Sequence, residues 1–393
     1  MINKKILLSL MVLGAVLGYL IISQRGLYVD EHDHYRQLMM FFNGQISVYA
    51  SIPFYPLYHA FIFIFGWIFG NDSISFFRFI NLLIGASTAL ISYFIISHFS
   101  QSNAVHKTVR FFYIPIIFPY LFLIYTDIFS LFLVLLSFLL VLKKHYTLAQ
   151  IFAIISVFAR QNNAIWIGFI ILWIIMEEKN KIKVFSLNFI RLIAPTIIGA
   201  IVILYAFFIQ DFFVIKAKNI HPVGFFTGNI FIFLFIAFIL FLPLHWINRK
   251  VVTKELSKTS TWVFIALAFI IYLVTFNVEH HFNKITLFFR NQALLAITSS
   301  LALKILFFIP LAYTMLSLKV TKTVSNISYI LYPFILLFLL PMQHIEFRYS
   351  IIPISLLFLL VDDEHYGERL NLAFYSILSF LILFLISQEV LYF

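Results

Sequence analysis

The chain has no cysteine among its 393 residues, which excludes disulfides, thiolate metal sites and a cysteine nucleophile. Charge is scarce as well, with Asp, Glu, Lys and Arg together making 11% of the chain. No internal repeat is visible, and this argues against a transporter built from inverted repeats. The alternating pattern of a membrane barrel is also missing. What is abundant is apolar. The chain is 63% hydrophobic with 51 Phe, and its mean hydropathy is +1.01. Apolar runs long enough for the hydrocarbon core of a bilayer recur between short polar loops. The chain therefore reads as an all-α polytopic membrane protein, because backbone groups in lipid must be satisfied within each segment.

The net charge of +11 is spread over short loops, where Lys and Arg set orientation, and forms no basic stripe of a nucleic-acid surface. Basic stretches at 107–110, 143–145, 179–183, 249–258 and 319–322 are expected on the cytoplasmic side, with the Lys-containing N-terminus. The segment after "MINKK" reads as an uncleaved signal anchor. Loops at 23–52, 126–127, 160–163, 211–224, 277–292 and 342–349 are then external. Residues 53–70 are apolar enough for a span, yet a full crossing there inverts every later loop. They are read as a re-entrant or interfacial helix inside a first external loop covering 23–77. The resulting expectation is one integral membrane domain over 1–393 with about 13 spans.

The external loops hold the unusual polar groups. "YVDEHDHYRQ" packs Asp30, Glu31, His32, Asp33 and His34 just past the first span. Oxygen and imidazole donors suit a metal, but the two His are two positions apart and share no helix face. A carboxylate beside a hydrophobic groove also suits deprotonation of a hydroxyl, and a plain solvated loop is the third reading. "LIYTDIFS" sets Asp127 between two apolar segments, as a cavity residue or as a helix cap with Thr126. "FARQNNAIW" offers Arg160, Gln161, Asn162 and Asn163 as donors for phosphate or sugar hydroxyls. In "QHIEFRYSIIP", Arg348 either pairs with Glu346 or binds an anionic head group bidentately. Lys284 and Arg290 in "HHFNKITLFFRNQ", and Lys216, Lys218 and His221 in "VIKAKNIHP", present similar options. Basic groups opposite an acidic cluster suggest a site for an anionic substrate with a general base.

These motifs carry a resemblance. Asp30, Glu31, His34 and Gln37 match the "DE..H..Q" signature of the dolichyl-phosphate-glucose-dependent alpha-1,2-glucosyltransferase family, which adds the terminal glucose of the lipid-linked oligosaccharide. "YTDIFS" is similar to that family's "YYTD..S", "FARQNNAIW" to "FRQTN..W" and "IEFRYSIIP" to "EFRYYI.P". "RFINLL", with Arg78 and Asn81, resembles its third segment. The matches keep the family's order from residue 28 to residue 353. Two departures are plain: the family's Pro-Pro-Gly stretch is here "IPFYPLY", and its "DNRHY" is reduced to "LFFRNQ".

The resemblance implies a GT-C-type bundle and an inverting, metal-independent transfer without a cofactor. The implied donor is a polyprenyl- or dolichyl-phosphate sugar, and the implied acceptor is a glycan at the membrane. It implies Asp30 as base, with Glu31 as neighbour or substitute. His34, Gln37 and Tyr58 line the acceptor side. Asp127, Arg160, Gln161, Asn163, Arg290, Arg348 and Tyr349 line the donor side. The expected setting is the endoplasmic reticulum membrane in a eukaryote or the inner membrane in a prokaryote, with the site on the lumenal or external face and the protein a monomer without nucleic-acid partners. A related transferase of mannose or an amino sugar, and a secondary transporter, stay as alternatives.

Overall fold

The computed structural model describes residues 3–49, 52, 56–178, 186–209, 224–362 and 368–391. The basic stretch at 179–183, and Lys216, Lys218 and His221, lie outside the described residues. Among the described residues there are seventeen α-helices and no β-strand, so the chain is an all-α polytopic membrane protein. The first five are α1 (Lys4–Ser23), α2 (Glu31–Phe42), α3 (Leu57–Phe69), α4 (Ile74–Phe99) and α5 (Ala104–Phe112). Next come α6 (Thr126–Leu142), α7 (Tyr146–Ala159), α8 (Ala164–Glu178), α9 (Leu187–Ile209), α10 (Gly228–Leu240) and α11 (Leu242–Leu256). The chain ends with α12 (Thr259–Thr275), α13 (Phe289–Thr298), α14 (Leu301–Val320), α15 (Leu331–Leu339), α16 (Ile351–Leu360) and α17 (Glu368–Ser387).

Five helices are long and apolar enough to cross a bilayer, or six if the bent pair α10–α11 counts as one span. The expectation of about 13 crossings from hydropathy counted apolar stretches that do not form long unbroken helices. Six such stretches are helical but only 10–17 residues long, and α10 and α11 meet at 95°. Residues 113–125 are apolar yet fold as turns and a short 3-10 helix, Phe118–Leu121. Their backbone is tolerated because the segment is buried in protein, away from lipid. The re-entrant candidate becomes α3, thirteen residues closed by Gly70 at φ 60. At 1.5 Å per residue α3 is about 20 Å long, short of the ~30 Å hydrocarbon core.

One interaction ties the start of the chain to this bundle. Arg78 of α4 and Glu31 of α2 are both fully buried, at 1% and 0% exposure. Arg78 Nε donates to Glu31 Oε1 at 3.1 Å and Nη2 to Oε2 at 2.5 Å. The remaining guanidinium hydrogens go to the carbonyls of Ile22, Arg25 and Gly26, at 2.7, 2.8 and 2.7 Å. Glu31 also accepts from the backbone N–H groups of Tyr28 at 2.9 Å and Ile124 at 2.7 Å. Each carboxylate oxygen thus takes two hydrogen bonds, and the pair joins α1, α2, α4 and the non-helical segment. One turn along α4, Asn81 accepts from Tyr58 at 3.1 Å and donates to the Tyr120 carbonyl at 2.7 Å. Arg78 and Asn81 therefore hold the first loop and residues 113–125 together.

The bundle has two chemically different ends. At one, Lys107 donates to the carbonyls of Leu359 and Val361 at the close of α16, Glu255 pairs with Lys258 and Lys319, and Tyr146 meets Glu177 and Glu178. At the other lie the starts of α2, α6, α8, α10 and α16 and the close of α7. The ten residues of α16 set Arg348 about 15 Å from the carbonyls that hold Lys107.

Three outcomes follow. Arg78→Ala leaves Glu31 a buried charge without a partner and is expected to cost about 3–5 kcal/mol, read as a lowered unfolding midpoint in detergent. Arg78→Gln combined with Glu31→Gln loses less than the sum of the two single changes. Single cysteines at Ile46, 91% exposed, and at exposed Lys254 in this cysteine-free chain label from opposite membrane faces; labelling from one face contradicts the two-ended bundle.

Candidate active site

The site grows from a strained elbow. Val29 has φ 42, in the left-handed region that a β-branched residue rarely occupies, at a cost of order 1–3 kcal/mol. Anchored by Glu31 on one side and α1 on the other, it turns the chain so that Asp30 opens α2. Asp30 sits at the cap position but makes no side-chain cap bond to the helix. Its Oδ2 accepts instead from Arg348 Nη1 at 2.6 Å. Its backbone N–H donates to Tyr125 Oη at 3.2 Å. The Asp30 side chain is 40% exposed, whereas that of Glu31 is 0% exposed.

Arg348 reaches Asp30 from the turn Phe347–Ser350, just before α16. It also donates through Nε to Glu346 and lies over the Tyr125 ring, 5.8 Å from its centroid. Glu346 is shared with Arg290, whose Nη1 lies 3.2 Å from Oε1. Burial pushes the Glu346 carboxyl upward, but Arg348 and Arg290 outweigh it and hold the group well below the usual carboxylate range. Three buried asparagines fix this loop and the turn at 282–285 beside it. Asn229 accepts from the Glu346 N–H at 3.0 Å and donates to the Met342 and His344 carbonyls, both at 2.9 Å. Asn283 pairs in both directions with the backbone of Ile345, and Asn291 donates to the carbonyls of Phe282 and Ile285.

A second ion pair stands beside the first. Arg160, at the close of α7, donates to Asp127 Oδ1 in the first turn of α6, and its guanidinium lies 5.6 Å from the centre of the Tyr349 ring. The other Asp127 oxygen is buried without a hydrogen-bond partner. His34, one turn along α2, packs against Tyr58, His59 and Tyr125. Its Nδ1 is 2.9 Å from His59 Nε2. Burial lowers the His34 pKa to about 4 against the pull of Asp30, so the ring is neutral near pH 7.

The structure thus brings Asp30, His34, Asp127, Arg160, Arg290, Arg348 and Tyr349 to one end of the bundle, with Gln161 half-buried in the turn after α7. Four other expected site residues face the scaffold. Glu31, expected as neighbour or substitute of the base Asp30, is a buried anchor whose lone pairs are filled by Arg78 and two backbone amides. Gln37 pins the loop after α2, accepting from the Tyr49 N–H at 2.6 Å and donating to the Ser47 carbonyl at 3.1 Å. Tyr58 is 1% exposed and donates to Asn81. Asn163 ties α6 to α7 through Ser130 at 2.7 Å and the Ser156 carbonyl at 2.8 Å. Tyr125, His59 and Asn229 belong to the site and were not singled out from the sequence. An Asn inside the apolar run "GNIFIFLF" is the one signal for Asn229, since a polar residue there faces the bundle interior.

Residues 24–194 match the model of the DIE2/ALG10 family, the same family that the motifs resemble. No curated protein and no solved structure matches the chain.

Asn229→Ala leaves two carbonyls and the Glu346 N–H without their partner. At about 1–3 kcal/mol for each buried group left unpaired, a loss of several kcal/mol is expected. Limited proteolysis near residues 340–346 should accelerate in parallel with the fall in unfolding midpoint.

Proposed function

We propose that this chain, matching the DIE2/ALG10 family over residues 24–194, is an inverting glycosyltransferase. It moves glucose in alpha-1,2 linkage from a polyprenyl- or dolichyl-phosphate donor to a lipid-linked glycan. The family supports the coarser part, a membrane glucosyltransferase acting on a lipid-linked oligosaccharide. The observation that carries the finer part is the half-exposed Asp30 carboxylate 2.6 Å from Arg348, with the Arg160–Asp127 pair beside it at the polar end of an apolar bundle.

In this reading Asp30 takes the proton of the acceptor hydroxyl as that oxygen attacks the anomeric carbon. The carbon–phosphate oxygen bond breaks with its electron pair, and the lipid phosphate leaves carrying a second negative charge. Arg348 and Arg160 are planar, permanently charged donors suited to that phosphate, and they stabilise charge where it develops. The unpartnered oxygen of Asp127 is available to accept from a sugar hydroxyl. Neutral His34 lies against the acceptor side of Asp30. Glu31 acts at one remove, by fixing the elbow that presents Asp30. The reaction needs no metal and no cofactor, and the protein works as a monomer. Its site faces the lumen of the endoplasmic reticulum in a eukaryote, or the outside of the inner membrane in a prokaryote. A transporter places its ionisable groups in broken helices near the bilayer midplane; the charged pairs here stand at helix ends, and a transferase is preferred.

The test is transfer from polyprenyl-phosphate-glucose to a lipid-linked oligosaccharide by the purified chain. Asp30→Asn is expected to lower kcat by about 10²–10⁴ with little change in unfolding midpoint. Glu31→Gln is expected to lower the midpoint first. Full turnover by Asp30→Asn sinks the assignment of the base.

A further inference from the structure

We infer that Arg348 exchanges partners during the reaction, passing from Asp30 to the departing lipid phosphate as Asp30 becomes protonated. The inference rests on the transferase reading above and concerns what the Asp30–Arg348 ion pair does within it.

The charges around Arg348 point to such an exchange. Its guanidinium serves two carboxylates, Asp30 at 2.6 Å and Glu346 through Nε. They are not equivalent. Glu346 is 5% exposed and has a second cation, Arg290 at 3.2 Å, so it stays compensated when Arg348 turns elsewhere. Asp30 has Arg348 as its only ion-pair partner among the described residues. It is also the more exposed partner, with its side chain at 40% against 17% for Arg348. The bond to Asp30 can open without stranding a buried charge, because Asp30 is the partner that solvent reaches and Glu346 keeps its contacts to Arg348 and Arg290.

The bookkeeping of the transfer step fits the exchange. The acceptor oxygen loses its proton to Asp30, whose charge goes from minus one to zero. The same oxygen bonds to the anomeric carbon, and the bond from that carbon to the phosphate oxygen breaks. The electron pair stays with the phosphate, which goes from a singly charged diester to a doubly charged monoester. One negative charge therefore leaves Asp30 while one appears on the phosphate, and the total is unchanged. A single guanidinium placed between them follows that charge without moving off its anchor, because Glu346 keeps hold of Nε. Before the step, Arg348 is engaged with Asp30 at 2.6 Å. After it, the protonated Asp30 no longer competes for the cation.

Competition for one cation has a consequence that needs no turnover: removing the charge of Asp30 must strengthen binding of the phosphate. The experiment measures binding of radiolabelled polyprenyl phosphate to the full chain in detergent, comparing wild type, Asp30→Asn, and Asp30→Asn combined with Arg348→Gln. Asp30→Asn is expected to bind the phosphate about two- to fivefold more tightly than wild type, the size of a partly exposed ion pair. The gain should vanish in the double variant, and polyprenol without its phosphate should bind wild type and Asp30→Asn alike. Asp30→Ala replaces Asp30→Asn if the latter fails to fold, as judged by its unfolding midpoint. Equal or weaker phosphate binding by the Asp30 variant, or an equal gain for polyprenol, overturns the exchange and leaves the transferase reading standing. Failure of every form to bind polyprenyl phosphate overturns both.

Discussion

The architecture of the polar end depends on one buried ion pair, Arg78 with Glu31. A buried charge pair is retained at a cost unless every donor and acceptor is used, and here they are used. The guanidinium closes off the end of α1 through three carbonyls. The carboxylate catches the amides of Tyr28 and Ile124. This places four chain segments around one point and fixes the elbow at Val29. Without it nothing would hold a β-branched residue in a left-handed conformation, and Asp30 would have no defined direction.

The result is a division of labour between neighbours. Successive helical positions differ by about 100° around the axis, so two adjacent acids at the start of α2 face different surroundings. Glu31 turns into the protein and is spent on structure. Asp30 turns toward Arg348 and keeps a route to solvent. Around it the same logic repeats at lower cost. Asparagines at 229 and 283 hold the backbone that carries Glu346 and Arg348, and Asn291 accepts from Asn283 and holds the adjoining turn at 282–285, so the charged groups stand on satisfied scaffolding.

Much of this was legible in the sequence. Composition alone identifies an all-α membrane protein, and the separation of basic loops from the acidic and Asn-rich motifs anticipates the two unlike ends of the bundle. Asp30 meets Arg348 and Asp127 meets Arg160 because each of these residues lies at or next to a helix terminus. Other features leave no local trace. The roles of Asp30 and Glu31 depend on Arg78, 47 positions from Glu31, and the grip of Asn229 on Glu346 spans 117 positions. Hydropathy overstated the number of long spans because an apolar composition does not report whether a helix is unbroken, as residues 113–125 and the bend between α10 and α11 illustrate. Gln37, Tyr58 and Asn163 sit within the motifs, yet their side chains are consumed by loop and helix contacts.

The most direct test of the account is a cryo-EM structure of the chain with a non-transferable polyprenyl-phosphate-glucose analogue bound. The account predicts the phosphate between Arg348 and Arg160, the anomeric carbon facing Asp30, and Glu31 still closed on Arg78. A phosphate bound at the opposite end, near Lys107, or a Glu31 that has left Arg78 to face the sugar, would contradict it.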